Sequence, residues 1–146
     1  MKKEINKLFF IRSYSDGATV GHNGTLGMVK EVGLGVLIEK VERICISEKT
    51  KGISNNEAEF KALICAMKEA IKAKAKIGYF YCDSQIIINR ANGSRPTKAK
   101  FRNERMDKFQ DEVLKLAKKF EKVTFTWIPR EKNIIADNLS KKACQL

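Results

Sequence analysis

The chain has 146 residues, and its 29 Lys and Arg residues against 17 Asp and Glu residues give a formal net charge of +12. With 43% hydrophobic residues, this length predicts one domain, residues 1–146, around a single core. The basic excess favours a polyanion such as nucleic acid, although a lysine-rich surface that only confers solubility would give the same charge. No apolar run reaches the roughly 20 residues of a membrane span, and the first residues lack the apolar core and cleavage site of a signal peptide, so we expect a cytoplasmic protein without a membrane partner. We also expect a monomer.

Three strands are predicted near the start of the chain. Residues 7–15 form an apolar run that ends at an Asp-Gly pair, which is typical of a buried strand. Residues 33–40 and 41–47 are rich in β-branched side chains and predict two strands joined by a tight reversal. Residues 18–32 contain three glycines and are expected to be loop or strand edge.

The rest of the chain alternates between helical and extended patterns. Apolar residues recur at spacings of three and four after a cap at Ser54 or Asn55, which predicts a helix to about residue 74. The later predicted elements are a strand at 77–82, a short helix at 84–91, a basic loop at 94–100, a long amphipathic helix at 101–121, a strand at 122–127 and a last helix at 133–144. Alternation in the last strand places Trp127 on its buried face, and spacing in the last helix places Ile135 toward the core.

Four acidic residues stand in apolar surroundings on this basic chain: Asp16, Glu59, Asp83 and Asp137. Asp16 and Asp83 follow predicted strands, so they become neighbours if those two strands pair in parallel. Glu59 and Asp137 then need only face the same edge of the sheet. Clustered carboxylates repel one another, and hard divalent cations such as Mg²⁺ or Mn²⁺ offset that repulsion. A metal site is therefore predicted.

The segments that carry these carboxylates resemble a known family. They are Tyr-Ser-Asp-Gly-Ala at 14–18, Ser-Asn-Asn-Glu-Ala-Glu-Phe at 54–60, Cys-Asp-Ser-Gln at 82–85, and Trp-Ile-Pro-Arg-Glu-x-Asn-x-x-Ala-Asp-x-Leu at 127–139. In order, they look like the signature blocks of ribonuclease H, type 1, in the branch related to reverse-transcriptase ribonuclease H domains. The resemblance covers residues 8–144 and implies an α/β ribonuclease H-like fold. In that fold helices flank a five-stranded mixed sheet with a β-β-β-α-β-α-β-α core.

The resemblance also implies an activity, which is hydrolysis of the RNA strand of RNA·DNA hybrids with two metal ions. The two ions would be Mg²⁺, with Mn²⁺ as the alternative, and the products would carry 5′-phosphates. By resemblance, Asp16 bridges both ions and Asp137 helps to hold the ion that activates water. Glu59 and Asp83 hold the ion at the leaving 3′ oxygen. Recognition of the 2′-OH would distinguish RNA from DNA.

Substrate contacts carry over from the same blocks. The positions that match are Gly17, His22, Ser54, Asn55, Asn56 and Gln85. Ser54 matches a residue that binds a DNA-strand phosphate, and the three amides match minor-groove contacts. Each of these has an alternative interpretation. Ser54 and Asn55 would cap the helix, Gln85 would be an ordinary exposed polar residue, and His22 would have no role in the reaction. Five further basic residues either form a ridge against the nucleic-acid backbone or belong to a solvated loop: Arg90, Arg95, Lys98, Lys100 and Arg102.

Two acidic residues are rejected as ligands, and one expected residue is absent. Glu57 lies about 200° around the helix from Glu59, and Asp107 follows no strand and is interpreted as a surface residue. Many family members carry a histidine in the loop before the last helix, whereas this loop has none. Arg130 or Glu131 are the residues that would substitute.

Two other classes remain open. A module of the same fold would bind hybrid or double-stranded RNA without cutting it, but would leave the clustered carboxylates unexplained. A ribonuclease H-like integrase or junction resolvase would act on DNA, and the Asn-Asn and Asp-Ser-Gln segments argue against it.

Overall fold

The computed structural model describes residues 10–19, 30–39, 44–52 and 55–145, which form a five-stranded sheet and four helices. The strands are β1 (Phe10–Thr19), β2 (Lys30–Glu39), β3 (Ile44–Gly52), β4 (Ile77–Cys82) and β5 (Lys122–Trp127), and the helices are α1 (Asn55–Lys72), α2 (Gln85–Ala91), α3 (Glu104–Ala117) and α4 (Ile134–Gln145). Short 3-10 turns lie at Ala99–Phe101 and Arg130–Lys132. The predicted element order is confirmed, and none of these helices has the length and apolarity to cross a bilayer.

The predicted mixed sheet is confirmed, with the strand order β3-β2-β1-β4-β5. β2 pairs antiparallel with β1 and β3, whereas β4 pairs in parallel with β1 and β5. The first three strands differ from the predicted bounds. β1 continues to Thr19, β2 already begins at Lys30, and β3 continues to Gly52. These polar extensions are held by pairs such as Thr19 with Val32 and Lys30 with Gly52, which local apolar patterns do not reveal.

The long helix α3 is shorter than its apolar repeat predicts. It begins at Glu104 because the Asn103 side chain caps it, with Oδ1 accepting from the backbone N–H of Arg105 at 3.1 Å and of Met106 at 3.2 Å. It ends at Ala117, yet Phe120 in the following turn is still buried. The repeat therefore identified the buried side chains but not the helix ends.

The core lies between the sheet and the helices α1 and α3. Its largest fully buried apolar side chains are Phe60, Phe80, Ile11, Leu63, Met67, Ile87 and Val113. α4 packs against β1, β2 and β3. Because α1 and α4 both contact β1, they bring side chains from distant parts of the chain to the end of that strand.

Two predicted core residues are exposed instead. Trp127 is 44% exposed and Ile135 is 39% exposed, while the neighbouring Ala136 is fully buried. Trp127 is the last residue of β5, and alternation shows which face a side chain takes but not whether another element covers the strand end. Among the described side chains of residues 133–139, the buried ones are Asn133, which precedes α4, and Ala136.

Candidate active site

Asp16 and Asp83 lie side by side because of the register between β1 and β4. The last parallel pair joins Ser15 to Cys82, so the next residue on each strand carries a carboxylate at the same edge. Glu59 in α1 completes a group in which one carboxylate oxygen from each of the three residues lies within 4.8 Å of the others. β1 and β4 pair in parallel, so the condition on which Asp16 and Asp83 were expected to be neighbours is met.

Gly17 allows α1 to approach β1 closely enough for Glu59 to join this group. A Cβ atom at Gly17 would overlap the carbonyl group of Ala58, one residue before Glu59. The backbone N–H of Gly17 also donates a hydrogen bond to the Glu59 carboxylate, which favours its ionised form. The Asp-Gly pair therefore provides one carboxylate and the space for another.

The crowded carboxylates perturb one another. Burial raises the pKa of Asp16 to about 7, and a hydrogen bond to Asp137, with the charges of Asp83 and Asp137, acts in the same direction, while a hydrogen bond with Glu59 opposes it. Burial also raises the pKa of Glu59 well above its ordinary value, and the neighbouring Asp16 adds to the effect. The hydrogen bond between the two side chains favours the protonated form of Glu59 and the ionised form of Asp16.

Asp137 reaches the site from the first turn of α4. It hydrogen-bonds with Asp16, although it is not a member of the group within 4.8 Å. Asp16 therefore contacts Asp137 as well as the pair formed by Glu59 and Asp83. All four predicted carboxylates come to one edge of the sheet, with Asp16 at their centre.

This donor set fits a hard divalent cation. Its ligands are carboxylate oxygens from three separate elements, which Mg²⁺ and Mn²⁺ prefer. The raised pKa values of Asp16 and Glu59 show that their full ionisation is unfavourable without added positive charge. A cation would supply that charge.

Sequence reasoning assigned no role to three side chains that hydrogen-bond to Glu59 or Asp83. Cys82 Sγ donates to Glu59 Oε2 at 3.7 Å, and burial raises the pKa of this thiol, so it stays protonated. Trp127 Nε1 donates to the backbone oxygen of Asp83 at 3.0 Å. Asn133 Nδ2 donates to Asp83 Oδ2 at 3.2 Å. The spacing of Asn133 four residues before Asp137 was the available signal, since a residue that precedes a helix lies near its first turn.

The predicted substrate contacts occupy varied settings. Asn55 is exposed and Asn56 is half-buried at the start of α1, the helix that carries Glu59. Gln85 is exposed at the start of α2, where its Nε2 donates to Asn89 Oδ1 at 2.9 Å. His22 and Ser54 lie outside the described residues. For the described residues of the set, which are Gly17, Asn55, Asn56 and Gln85, contact with substrate stays a prediction.

Glu57 was rightly separated from Glu59. It is buried and forms an ion pair with Arg105, which joins α1 to α3. Its charge is therefore used between helices rather than at the carboxylate cluster.

The interpretation of Asp107 as a surface residue was wrong. Its side chain is only 13% exposed and pairs with Arg90 at 2.8 Å, which lowers the pKa of Asp107. Arg95 pairs with Asp111 at 2.5 Å and donates to Gln110 at 2.6 Å. Of the predicted basic ridge, Arg90 thus joins α2 to α3, and Arg95 anchors the 94–100 loop to α3. Arg90 is buried, whereas Arg95 is still exposed in spite of its bonds, as are Lys98, Lys100 and Arg102.

Comparisons with known proteins agree with this geometry. A family model described as reverse transcriptase-like matches residues 30–143. The protein EbsB of Enterococcus faecalis is 31% identical over 137 residues, which are 92% of this chain and 94% of EbsB. A bifunctional protein of Mycobacterium tuberculosis is 24% identical over 133 residues, and the match covers 88% of this chain but only 34% of that relative.

Solved structures show the same architecture. The N-terminal RNase H domain of the Mycobacterium tuberculosis protein has a TM-score of 0.78 at 22% identity, covering 92% of this chain and 98% of that one. RNase H1 from Halobacterium salinarum has a TM-score of 0.75 at 22% identity, covering 93% and 98%. LC11-RNase H1, solved in complex with an RNA/DNA hybrid, has a TM-score of 0.73 at 24% identity, covering 92% and 96%. The fold is that of ribonuclease H. The chain belongs to the reverse transcriptase-like family.

Proposed function

We propose that this chain is a metal-dependent endonuclease that hydrolyses the RNA strand of RNA·DNA hybrids and leaves 5′-phosphate ends. The observation that carries the proposal is the group of Asp16, Glu59 and Asp83, whose carboxylate oxygens converge within 4.8 Å. The solved neighbour that holds an RNA/DNA hybrid supports the choice of substrate. The same proposal includes a monomeric, cytoplasmic protein with residues 1–146 as one domain, of which the length and hydrophobic content support the single domain.

We assign the four carboxylates to two metal ions. Two Mg²⁺ or Mn²⁺ ions would supply the positive charge that activates the attacking water and neutralises the leaving 3′ oxygen. Asp16 contacts both sides of the cluster, so we assign it to both ions. Glu59 and Asp83 are assigned to the leaving-group side, and Asp137 to the side of the attacking water.

Metal binding must displace any proton that Asp16 or Glu59 holds, because carboxylates ligate in their ionised form. The pKa of Asp16 is raised to about 7, so its ionised fraction grows as the pH rises through neutrality. We therefore expect metal affinity to increase between about pH 6 and pH 8. Cys82 remains a neutral donor to Glu59 over this range.

Substrate recognition is assigned to polar residues around the same edge. Asn55 and Asn56 precede Glu59 on α1, and Gln85 follows Asp83 by two residues. Amide side chains of this kind suit contacts with base edges and the 2′-OH in the wide minor groove of an A-like duplex. Gly17, His22 and Ser54 complete the proposed set. The exposed Lys98, Lys100 and Arg102 are suited to backbone phosphates.

The test is a comparison of matched duplexes of one sequence. RNA·DNA hybrid, double-stranded RNA and double-stranded DNA are labelled on each strand in turn and incubated with the protein and Mg²⁺. We expect cleavage of the RNA strand of the hybrid and none of double-stranded DNA. If wild type cleaves the hybrid no faster than Asp83→Asn does, the proposed nuclease activity is refuted. Binding of the hybrid without cleavage would identify an accessory module. Preferential cleavage of DNA would identify a nuclease of the integrase or resolvase kind.

A further inference from the structure

Asn133 is a buried amide at the junction of three segments that carry carboxylates. It is 1% exposed. Its Nδ2 donates to the backbone oxygen of Ser15 at 2.9 Å and to Asp83 Oδ2 at 3.2 Å. Its backbone oxygen accepts from the N–H of Asp137 at 3.0 Å. One residue therefore contacts Asp83, the residue before Asp16, and the first turn of α4.

The two acceptors determine how this amide is oriented. An NH₂ group can donate to both oxygens, whereas the reversed amide would place Oδ1 of Asn133 against a carbonyl and a carboxylate. The orientation leaves Oδ1 of Asn133 buried and without a hydrogen-bond partner among the described residues. A buried acceptor in that state is unfavourable, so stability alone does not account for asparagine at this position.

The position before a helix makes this arrangement more unusual. Asparagine there ordinarily turns its side-chain oxygen toward the N–H groups of the first turn. The side chain of Asn133 instead turns inward, to the strand ends. The helix loses a cap, and Asp83 gains a hydrogen-bond donor.

A neutral donor has a chemical advantage beside a carboxylate that binds metal. Lysine or arginine would neutralise Asp83 and compete with a cation for it. An amide orients the carboxylate and leaves its negative charge intact. Hydrogen bonds from outside the coordination sphere are a common means of orienting ligating carboxylates.

We propose that Asn133 is a positioning residue, whose amide fixes Asp83 Oδ2 and ties it to β1 so that the carboxylate keeps the geometry that binds a divalent cation. The inference rests on the proposed function, because it gives the Asp83 carboxylate a cation to bind. Asn133 itself does not contact the substrate or the reacting atoms. It acts through Asp83.

The test compares Asn133 with the other fully buried amide among the described residues, Gln110. Gln110 is also 1% exposed, and its Nε2 donates to the backbone oxygens of Arg90 and Ser94 at 2.8 Å each. Asn133→Leu and Gln110→Met each remove a bridging amide and keep similar bulk. Asn133→Ala is measured beside them, so that a leucine that fails to fit does not decide the result. Unfolding of each variant in urea with chelator separates loss of fold from loss of the site.

The main readout is the binding of Mn²⁺ alone, measured by calorimetry on folded protein without nucleic acid. We expect both Asn133 variants to bind Mn²⁺ about 10-fold more weakly than wild type, and Gln110→Met to bind it as wild type does. In hybrid cleavage, we expect the Asn133 variants to lose kcat with KM nearly unchanged, and to recover rate as Mg²⁺ is raised. Recovery by added metal would not follow from a purely structural role.

The outcomes separate the two proposals. Equal Mn²⁺ affinity for wild type and both folded Asn133 variants overturns the positioning role and leaves the nuclease standing. Equal weakening in Gln110→Met also overturns it, because the effect would then be one of general stability. A wild type that binds no Mn²⁺ refutes the metal-dependent function and the positioning role together. A wild type that binds Mn²⁺ but cuts no hybrid refutes the nuclease alone.

Discussion

Replacing Asp16 by asparagine should stabilise the metal-free protein at alkaline pH while abolishing its activity. Asp16 is buried, and its carboxylate faces those of Glu59, Asp83 and Asp137. Asparagine has nearly the same shape but no charge. The substitution therefore removes repulsion that a bound cation would otherwise offset.

The size of the effect follows from the pKa shift. The pKa of Asp16 is raised from 3.8 to about 7, so the folded state binds more protons than the unfolded chain between these values. Stability is therefore lost as the pH rises through this window, and the loss is complete above about pH 7. At about 1.4 kcal/mol for each pKa unit, the penalty reaches about 4 kcal/mol. We expect Asp16→Asn to recover about 2–4 kcal/mol at pH 8, since burying an amide carries a cost of its own.

The assay is urea unfolding with chelator at pH 8 and pH 5, for wild type, Asp16→Asn and Glu121→Gln. Glu121 is exposed and precedes β5, at the opposite end of the parallel strands from the carboxylates, so it controls for loss of one negative charge. We expect a gain for Asp16→Asn at pH 8 that shrinks toward pH 5, and less than about 0.5 kcal/mol for Glu121→Gln. A variant less stable than wild type at pH 8, or a difference independent of pH, would refute the electrostatic argument.

Three further predictions concern the fold around the site. Gly17→Ala should destabilise the protein by about 1–3 kcal/mol in urea unfolding, because the added methyl group would push α1 away from β1. It should also weaken Mn²⁺ binding in calorimetry, and an unchanged Mn²⁺ affinity would contradict this. Asp107→Ala should lower the urea midpoint more than Glu112→Ala. The first removes the carboxylate that pairs with buried Arg90, whereas the second breaks an exposed pair with Lys68. Equal shifts would count against a structural role for Asp107. Cys82 should react with iodoacetamide only after unfolding, as followed by peptide mass spectrometry, because its protonated thiol is fully buried; rapid labelling of folded protein would contradict that burial.

Local patterns predicted the part of the site that follows from strands. Asp16 and Asp83 follow apolar runs, so the sequence predicted that they would be neighbours if β1 and β4 paired in parallel, which the structure shows. The helical repeat likewise identified the buried face of α1, on which Phe60 and Leu63 lie. These inferences held because each depends on periodicity or on strand order.

The features that were missed depend on contacts between distant residues. The pairing of Asp107 with Arg90 spans 17 positions, and the bond from Asn133 to Ser15 spans 118. Neither residue has an apolar periodicity that would mark it as buried. The exposure of Trp127 was missed for a related reason, because alternation does not show where the covering helices end.

The most direct test of the account is cleavage of a hybrid labelled on its RNA strand, in Mg²⁺, by wild type, Asp83→Asn and Glu121→Gln. Asp83 belongs to the carboxylate group, whereas Glu121 changes the same charge at the opposite end of the parallel strands. We predict that wild type and Glu121→Gln cut the RNA strand at similar rates, and that Asp83→Asn is slower by at least about 100-fold. Equal rates for wild type and Asp83→Asn would contradict the claim that these carboxylates perform the reaction.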